Sequence, residues 1–248
     1  MIIDVLQHVP HEGPGLIANW ARENQHQLKI HSLFEENAHV PNDSDFLIVL
    51  GGPMGINDTA EFPWLKDERK LIKRLSEQHK PVFGVCLGAQ QIAATFGSEI
   101  TVNKEKEVGW FPVKRTSDKL SFFPESLNVF HWHQDTFALP AGATRLFASE
   151  GCLNQAFLYA ENIIGLQFHF EMEKAGIETI LQIDKAFITS GKYVQSVEVM
   201  REKDVPEDNK QMLEAILDYL INPKTIGRES QMVFSLVSSF NRSVDDIH

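Results

Sequence analysis

The chain has 248 residues, of which 43% are hydrophobic and 23% are charged. This composition is typical of a globular protein with a sizeable core. The formal net charge is −11, from 34 acidic and 23 basic side chains. Such a surface repels phosphate backbones and anionic lipids, so we expect neither nucleic acid nor a membrane surface as a partner. No apolar run approaches the roughly 20 residues that span a bilayer, and we expect no signal peptide.

The two cysteines, Cys86 and Cys152, could in principle form one disulfide. A chain of this length does not need a disulfide for stability, so we expect reduced thiols and a cytoplasmic location. No motif surrounds Cys152, which we interpret as an inert structural thiol.

Apolar runs bounded by turn residues alternate with helical patterns along most of the chain. Continuous apolar strands that are separated by helices predict an α/β fold, an open, mostly parallel sheet with helices on both faces. The third predicted helix ends before Gly97, a typical residue just after a helix C-terminus. The predicted strands are 2–7, 46–50, 81–85, 127–131, 156–160 and 163–168, and the predicted helices are 14–25, 63–78, 89–96, 172–189 and 206–221.

The helical pattern lapses between residues 99 and 146. Short extended pieces at 107–115 and 127–134 indicate an antiparallel excursion or edge strands in this part of the chain.

We predict one domain over residues 1–190, followed by a C-terminal helical extension, 191–248, packed on the same domain. Within the extension, 191–205 is interpreted as a connecting stretch. The segment 223–248 carries a weak apolar pattern that could dock on the domain or contact a second copy, so an oligomer is left open.

Residues 84–88, Gly-Val-Cys-Leu-Gly, place Cys86 between a predicted strand and a predicted helix. The form G-x-C-x-G is the cysteine counterpart of the G-x-S-x-G elbow, which exposes a nucleophile on a strained turn. Its glycines allow neighbouring backbone to pass close to the turn. The helix N-terminus stabilises a thiolate, the form of cysteine that attacks carbonyl carbon. The alternative is a buried cysteine that happens to lie beside two glycines.

His169 and Glu171 lie two residues apart at the end of the last predicted strand. If the strand continues, both side chains project to one face with Cα atoms roughly 6.5–7 Å apart. The carboxylate can then hold one imidazole nitrogen while the other nitrogen faces a thiol. A single His-x-Glu is weak evidence, but together with the elbow it predicts a Cys86–His169–Glu171 triad.

Residues 51–55, Gly-Gly-Pro-Met-Gly, directly follow a predicted strand. A phosphate cradle is one interpretation, but the stretch lacks the Lys-Ser/Thr of a P-loop and the spacing of G-x-G-x-x-G. A second interpretation is an oxyanion hole, in which backbone N–H groups of this loop act with that of Leu87. A plain tight turn is the third.

Several histidines need separate interpretations. His131 and His133 alternate on one strand face, which suggests a metal site. No cysteine or carboxylate stands at a suitable spacing beside them in sequence, so we expect no metal. His8 and His11 follow the first predicted strand and are interpreted as rim or packing residues.

Taken together, these motifs resemble the class I glutamine amidotransferases, the family with a Cys-His-Glu triad. The likeness is strongest to stand-alone relatives of the glutaminase domain of GMP synthase. It rests on residues 51–55, 84–90, 131–135 and 167–171, which occur in family order. It implies an enzyme with the flavodoxin-like fold of that family and no cofactor.

The resemblance also implies residue roles. Cys86 attacks the side-chain amide of glutamine, His169 moves protons, and Glu171 orients His169. Ammonia leaves as a γ-glutamyl thioester forms, and water then releases glutamate.

By the same resemblance, the backbone N–H groups of Gly52 and Leu87 form the oxyanion hole. The positions that correspond to contacts with bound glutamine are Gln90, Gln134 and Asp135.

Three functions remain open at this point. The first is a glutaminase subunit that passes ammonia to a synthase partner, since no ATP-binding pattern follows residue 190. The second is a stand-alone γ-glutamyl peptidase with the same triad and a larger leaving group. The third is a non-catalytic binding or regulatory module, which an intact triad disfavours.

Overall fold

The structure is a computed structural model that describes residues 1–223. Its ten strands are β1 (Ile2–Gln7), β2 (Gln27–Ser32), β3 (Leu47–Val49), β4 (Val82–Val85), β5 (Ile100–Arg115), β6 (Ser126–Phe137), β7 (Thr144–Ala148), β8 (Ala156–Tyr159), β9 (Ile163–Leu166) and β10 (Tyr193–Val194). The helices are α1 (Leu16–Glu23), α2 (Trp64–Glu77), α3 (Leu87–Thr95), α4 (Lys174–Ile183), α5 (Val197–Glu202) and α6 (Glu207–Ile221), with a short 3-10 helix at Lys185–Phe187. Within residues 1–223, no helix has the length and apolar character needed to cross a bilayer.

All ten strands join one mixed sheet. Its parallel half has the order β2-β1-β3-β4-β9. On the other side of β9, the strands β8, β7 and β5 follow in antiparallel pairings, and β6 pairs with β5. The predicted antiparallel excursion is therefore confirmed as a β5–β6 ribbon.

Helices cover both faces of the parallel half because its buried strands carry apolar side chains on each face. In β3, Ile48 packs into the core that includes α1 and α6, whereas Leu47 and Val49 pack into the core that includes α2 and α3. Each fully buried side chain of this kind contributes about 1.5–3 kcal/mol. This confirms the predicted α/β sheet with helices on both faces.

Three strands were not predicted: β2, β7 and the two-residue β10. β2 lies at the edge of the sheet, and its side chains are exposed or only half-buried. An edge strand of this kind needs no apolar run, so hydrophobic patterning does not reveal it. β9 ends at Leu166, two residues earlier than predicted, and the chain continues as bends.

The interpretation of 191–205 as a connecting stretch was wrong. Tyr193–Val194 forms β10 and pairs with β5, and the Gln195 side chain bonds the Trp110 backbone N–H and C=O at 2.9 Å each. The helix α5 follows at once.

Helix α6 places its buried residues in the same core as α1. The Trp20 ring N–H also donates to Asp218 Oδ1 at 2.9 Å, which links the two helices. The apolar pattern predicted within 223–248 lies outside the described residues.

Candidate active site

Cys86 stands on a sharp turn between β4 and α3. It is the N-cap residue of α3 and has φ +51° and ψ −108°, a left-handed backbone conformation that a residue other than glycine rarely adopts. Its N–H donates to the Leu166 carbonyl at 2.7 Å, which holds the turn against β9. Its exposed fraction is 8%. Strain of this kind, held in place by the surrounding structure, is typical of functional sites.

The two glycines of the elbow allow close packing at the turn. A Cβ added at Gly88 would collide with the Val49 carbonyl of β3, and one at Gly84 would lie 2.6 Å from the Gly88 carbonyl carbon. The start of α3 can therefore sit directly against β3 and β4, with Cys86 at the carboxyl end of the parallel strands. In open α/β sheets, ligands bind at this edge.

His169 and Glu171 form a hydrogen-bonded pair although β9 does not extend to them. An isolated bridge, in which the His169 N–H donates to the Phe130 carbonyl at 2.9 Å, holds the segment against β6. The His169 Nδ1 lies 2.7 Å from Glu171 Oε1, and both side chains are buried. Among the described residues, His169 Nε2 and Glu171 Oε2 have no hydrogen-bond partner.

The charge of His169 depends on this pair. Burial by itself lowers the pKa of the imidazole, but the Glu171 carboxylate and the neighbouring Cys86 raise it by more. The net pKa lies well above the ordinary value for histidine. The pair with Glu171 therefore favours the protonated form of the His169 ring.

Cys86, His169 and a further carboxylate, Glu12, meet at Gly51. A Cβ placed on Gly51 would lie 2.5 Å from Glu12 Oε2, 3.3 Å from His169 Cε1 and 3.6 Å from Cys86 Cβ. The structure thus brings the predicted nucleophile and base together on one side of the Gly51–Gly52 loop. Glu12 has a side chain only 12% exposed, and burial raises its pKa even though His169 opposes the shift.

Gln167 connects the thiol to helix α3. Its Nε2 lies 3.7 Å from Cys86 Sγ, and its Oε1 accepts from Gln90 Nε2 at 3.3 Å. On the other side, the Trp132 carbonyl is 4.0 Å from Cys86 Sγ. Gln90, predicted as a substrate contact, therefore reaches the thiol through Gln167.

His8 is completely buried and holds the glycine loop. Its Nδ1 donates to the Gly51 carbonyl at 2.8 Å, and its Nε2 lies 2.7 Å from Glu68 Oε1. Its ring also stacks on Trp64 at 5.0 Å. Burial lowers the pKa of His8, but attraction and hydrogen bonding to Glu68 raise it by more, so the net shift favours the protonated ring, which can donate from both nitrogens.

The hydrogen bond from His8 also orients the next peptide group. The described residues contain no cis peptide bond, so the Gly51 carbonyl and the Gly52 N–H point in opposite directions. The Gly52 N–H therefore faces away from His8. Leu87 is the first residue of α3, where backbone N–H groups have no intrahelical partner.

A cavity of about 370 Å³ opens beside Cys86. Its volume lies within the ordinary range for small-molecule sites. Among the described residues, the lining contains no Lys or Arg and has three acidic side chains, those of Glu12, Asp135 and Asp184. The described residues that line the cavity are Glu12, Gly52, Pro53, Met54, Cys86, Gln90, Val102, Trp132, His133, Gln134, Asp135, Asp184 and Phe187.

The prediction of no metal rested on a premise that the structure overturns. Glu107 of β5 lies opposite His133 of β6, and His131 adjoins both. A carboxylate therefore does accompany the two histidines. The register between β5 and β6 shifts between Val102 and Glu107, and the sequence offered no signal for this pairing.

Sequence reasoning also missed Gln167 and Glu12. Gln167 precedes His169 by two residues, so the alternation that connects His169 with Glu171 extends to it. Glu12 lies in the loop after β1, and no motif marks it. The only signal in its favour was the general rule that sites gather at the carboxyl ends of strands, which does not single out one residue. The partners of His8 lie 43 and 60 residues away in sequence.

A family comparison agrees with this geometry. Residues 15–180 match the family model described as glutamine amidotransferase class-I. The chain belongs to the class I glutamine amidotransferase family, and its sheet has the flavodoxin-like fold of that family.

Three relatives illustrate the likeness. The chain is 28% identical over 225 residues to the glutamine amidotransferase-like protein YfeJ of Salmonella typhimurium, covering 86% of this chain and 94% of that one. It is 31% identical over 151 residues to a subunit of the glutamine-hydrolyzing GMP synthase of Thermoplasma volcanium, covering 56% of this chain and 72% of the other. A crystal structure of a glutamine amidotransferase from Thermotoga maritima superposes with a TM-score of 0.75 at 30% identity, covering 90% of this chain and 97% of that chain.

Proposed function

We propose that the protein hydrolyses the side-chain amide of glutamine through a γ-glutamyl thioester on Cys86, releasing ammonia and glutamate. The observation that supports this most directly is the strained turn at Cys86, which meets the His169–Glu171 pair at the mouth of a cavity. Family membership supports the same reaction type.

In the first half of the reaction, the Cys86 thiolate attacks the γ-carbonyl carbon and the carbonyl oxygen becomes an oxyanion. The His169 imidazolium gives its Nε2 proton to the amide nitrogen as the C–N bond breaks. Ammonia leaves, and a thioester remains on Cys86. Glu171 keeps the Nδ1–H of His169 in place throughout, which fixes the ring orientation.

In the second half, water attacks the thioester and gives a proton to His169. The C–S bond breaks, glutamate leaves, and the thiolate and imidazolium are restored. The second proton of the water stays on the new γ-carboxyl group, which ionises in solvent after release, so His169 is the only proton carrier that the protein supplies.

The Gly52 and Leu87 N–H groups are proposed to stabilise the oxyanion in both halves. Leu87 offers an N–H that has no intrahelical partner at the start of α3, and His8 orients the Gly52 peptide through the Gly51 carbonyl. Donors of this kind typically lower the barrier by about 2.7–4 kcal/mol each. His8 is a positioning residue in this scheme, since it acts through the loop.

Gln90, Gln134 and Asp135 are proposed to bind the glutamate portion of the substrate. All three line the cavity. Burial raises the pKa of Asp135, although His133 opposes the shift. A substrate ammonium group beside Asp135 would favour the carboxylate form.

The acceptor of ammonia is proposed to belong to a synthase partner, because the relatives include one subunit of a glutamine-hydrolyzing GMP synthase. We further propose a catalytic unit over 1–190, with 191–248 as an extension of the same domain. Both cysteines are free thiols, which suits a reducing compartment such as the cytoplasm.

A stand-alone γ-glutamyl peptidase is the second candidate. The cavity extends beyond the predicted glutamine contacts to Asp184 and Phe187, next to α4. This extension can take a leaving group larger than ammonia, and the chemistry at the γ-carbonyl is the same. A non-catalytic module explains neither the strained turn at Cys86 nor the paired imidazole.

The test is to incubate the purified full chain with glutamine and with a panel of γ-glutamyl amides and peptides, measuring ammonia and glutamate. Parent protein should release glutamate, and Cys86→Ala should lower the rate at least about 10³-fold while the circular dichroism spectrum is unchanged. Cys152→Ala is the matched control and should retain the parent rate. Equal rates in parent and Cys86→Ala would refute the proposal. Turnover of larger amides without a partner would select the peptidase.

A further inference from the structure

Three buried side chains meet on the β5–β6 ribbon, namely Glu107, His131 and His133. Glu107 Oε2 lies 3.2 Å from His133 Nε2 and 3.9 Å from His131 Nδ1. No two of the three donor atoms are more than 4.8 Å apart. The triad does not use any of these groups.

The outer atoms of the cluster are held by hydrogen bonds to neighbouring residues. The Gln155 side chain reaches two of its inner atoms, since Gln155 Nε2 donates to Glu107 Oε2 at 2.5 Å and lies 3.5 Å from His131 Nδ1. His131 Nε2 donates to the Phe111 carbonyl at 3.3 Å, and His133 Nδ1 donates to the Asp135 carbonyl at 3.2 Å. Ser149 Oγ donates to Glu107 Oε1 at 2.6 Å. Histidines that bind metals almost always donate their distal N–H to a carbonyl or carboxylate in this way.

The inner atoms of the three side chains face one another. His131 Nε2 is used in the bond to the Phe111 carbonyl, so its Nδ1 is the ring nitrogen that faces the Glu107 carboxylate. Among residues 1–223, His133 Nε2 has no hydrogen-bond partner although it lies 3.2 Å from Glu107 Oε2. A cation between these atoms would replace the contacts that the Gln155 amide makes with Glu107 and His131.

We propose that Glu107, His131 and His133 bind one divalent transition-metal ion, with Zn²⁺ the best match. Two imidazoles and a carboxylate are a donor set that Zn²⁺ favours, with bonds of about 2.0–2.1 Å. In tetrahedral geometry such bonds place ligand atoms roughly 3.3 Å apart. The Glu107–His133 separation already equals this value within about 0.1 Å, and the Glu107–His131 separation exceeds it by about 0.6 Å. Closing the site requires the His131 ring to move inward and the Gln155 amide to turn away from Glu107 and His131.

The ion would have a structural role, linking β5 to β6 in the wall of the cavity. His133 lines the cavity, and the two residues that follow it, Gln134 and Asp135, are proposed substrate contacts. The register shift in β5 directly precedes Glu107. Linking β5 to β6 at this point would fix the direction of the strand that carries Gln134 and Asp135. No step of the proposed reaction passes through the ion.

The experiment uses the full chain carrying Cys86→Ala, so that the thiol and imidazole of the candidate active site do not bind the added metal together. Apo protein, prepared by dialysis against a chelator, is titrated with Co²⁺ and separately with Zn²⁺. Visible absorption of bound Co²⁺ and elemental analysis of the Zn²⁺ sample are recorded. We expect about one equivalent per chain and no sulfur-to-cobalt charge-transfer band, since Cys152 is not in the donor set. At a hundredfold excess over Kd, Zn²⁺ should raise Tm by roughly 5–10 °C.

Variants assign the ligands. In the same background, His131→Ala and His133→Ala should each weaken binding by about a hundredfold or more, whereas His11→Ala, which removes a half-buried histidine beside another carboxylate, should not. If either ligand variant fails to fold, the absorption and Tm of the Cys86→Ala protein alone decide the matter. Less than about 0.1 equivalent bound with no visible band would overturn the proposal, and so would full binding in both ligand variants. In that event the contacts of the Gln155 amide with Glu107 and His131 hold the cluster without an ion.

Discussion

Replacing His8 tests whether the Gly51–Gly52 loop must be held for catalysis. His8→Phe keeps an aromatic ring for stacking on Trp64 but removes both ring N–H donors. The Gly51 carbonyl loses its partner, and the Gly52 N–H is no longer fixed toward its proposed place in the oxyanion hole.

Stability and activity should respond by different amounts. The variant leaves the buried Glu68 carboxylate without its cationic partner, which destabilises the fold by about 3–5 kcal/mol. Adding Glu68→Gln removes that charge, and the remaining loss should be about 1–2 kcal/mol. Complete removal of an oxyanion donor typically lowers kcat 10²–10³-fold. In His8→Phe the Gly52 N–H is still present but is not held in place, so the effect should be smaller than that of removing the donor. We expect kcat to fall about 10–100-fold and KM to change less than about threefold.

The assay is glutamate release by four proteins, the parent, His8→Phe, Glu68→Gln and the double variant, each with its Tm measured. Glu68→Gln is the matched control, because it retains the bond from His8 to the Gly51 carbonyl and should keep most of kcat. The double variant should regain stability but not activity. If the folded double variant hydrolysed substrate at the parent rate, the assigned role of His8 would be wrong.

Three further predictions concern charge. His169→Ala should slow the alkylation of Cys86 by iodoacetamide at pH 6 by about tenfold or more, because the imidazolium proposed to favour the thiolate is gone. Peptide mapping by mass spectrometry measures the alkylation rate, with Cys152 as the internal reference. An unchanged rate would contradict the proposed thiolate–imidazolium pair. The described lining of the cavity has carboxylates and no Lys or Arg. At pH 8, γ-glutamyl amides with a cationic leaving group should therefore be cleaved about tenfold faster than those with an anionic one. Glu12→Gln should reduce the ratio of the two kcat/KM values. Equal ratios in parent and variant would show that Glu12 does not contribute to this specificity. The pKa of His8 is raised in the folded state, so its contribution to stability is complete below the unfolded-state pKa and is lost as pH rises through the folded-state pKa. The free energy of unfolding that His8→Phe loses should therefore be larger at pH 6 than at pH 9. Denaturant titrations of both proteins at the two pH values test this.

The central fold was predictable because its physical signals are local. The strands β1, β3, β4 and β9 are buried on both faces and therefore read as continuous apolar runs. Gly97 ends helix α3 with φ +83°, and the N–H groups of Gly97 and Ser98 bond back to Ala94 and Ala93 as a glycine C-terminus predicts. By contrast, β10 has only two residues and is held by its pairing with β5. A strand this short has no hydrophobic pattern that could predict it.

The site was predictable to the extent that its geometry follows from one segment. The turn at Cys86 is encoded by residues 84–88, and His169 and Glu171 are near neighbours in sequence, so spacing alone predicted their hydrogen bond. The contacts from His8 to Gly51 and from Glu107 to His133 depend on how distant strands are ordered and shifted in the sheet. A one-residue change of register would separate such pairs, and nothing in the local sequence records the register.

The division of the sheet also separates the chemistry from the selection of substrate. The proposed nucleophile, base and oxyanion loop follow strands of the parallel half, whose packing on both faces allows little variation in position. The part of the cavity proposed for the leaving group comes instead from the residues just after α4, Asp184 and Phe187. Substitutions there can change the leaving group without moving Cys86 or His169. A metal ion at Glu107 would fix the strand that carries Gln134 and Asp135, so its removal should raise KM for glutamine and for larger γ-glutamyl amides alike while kcat changes little.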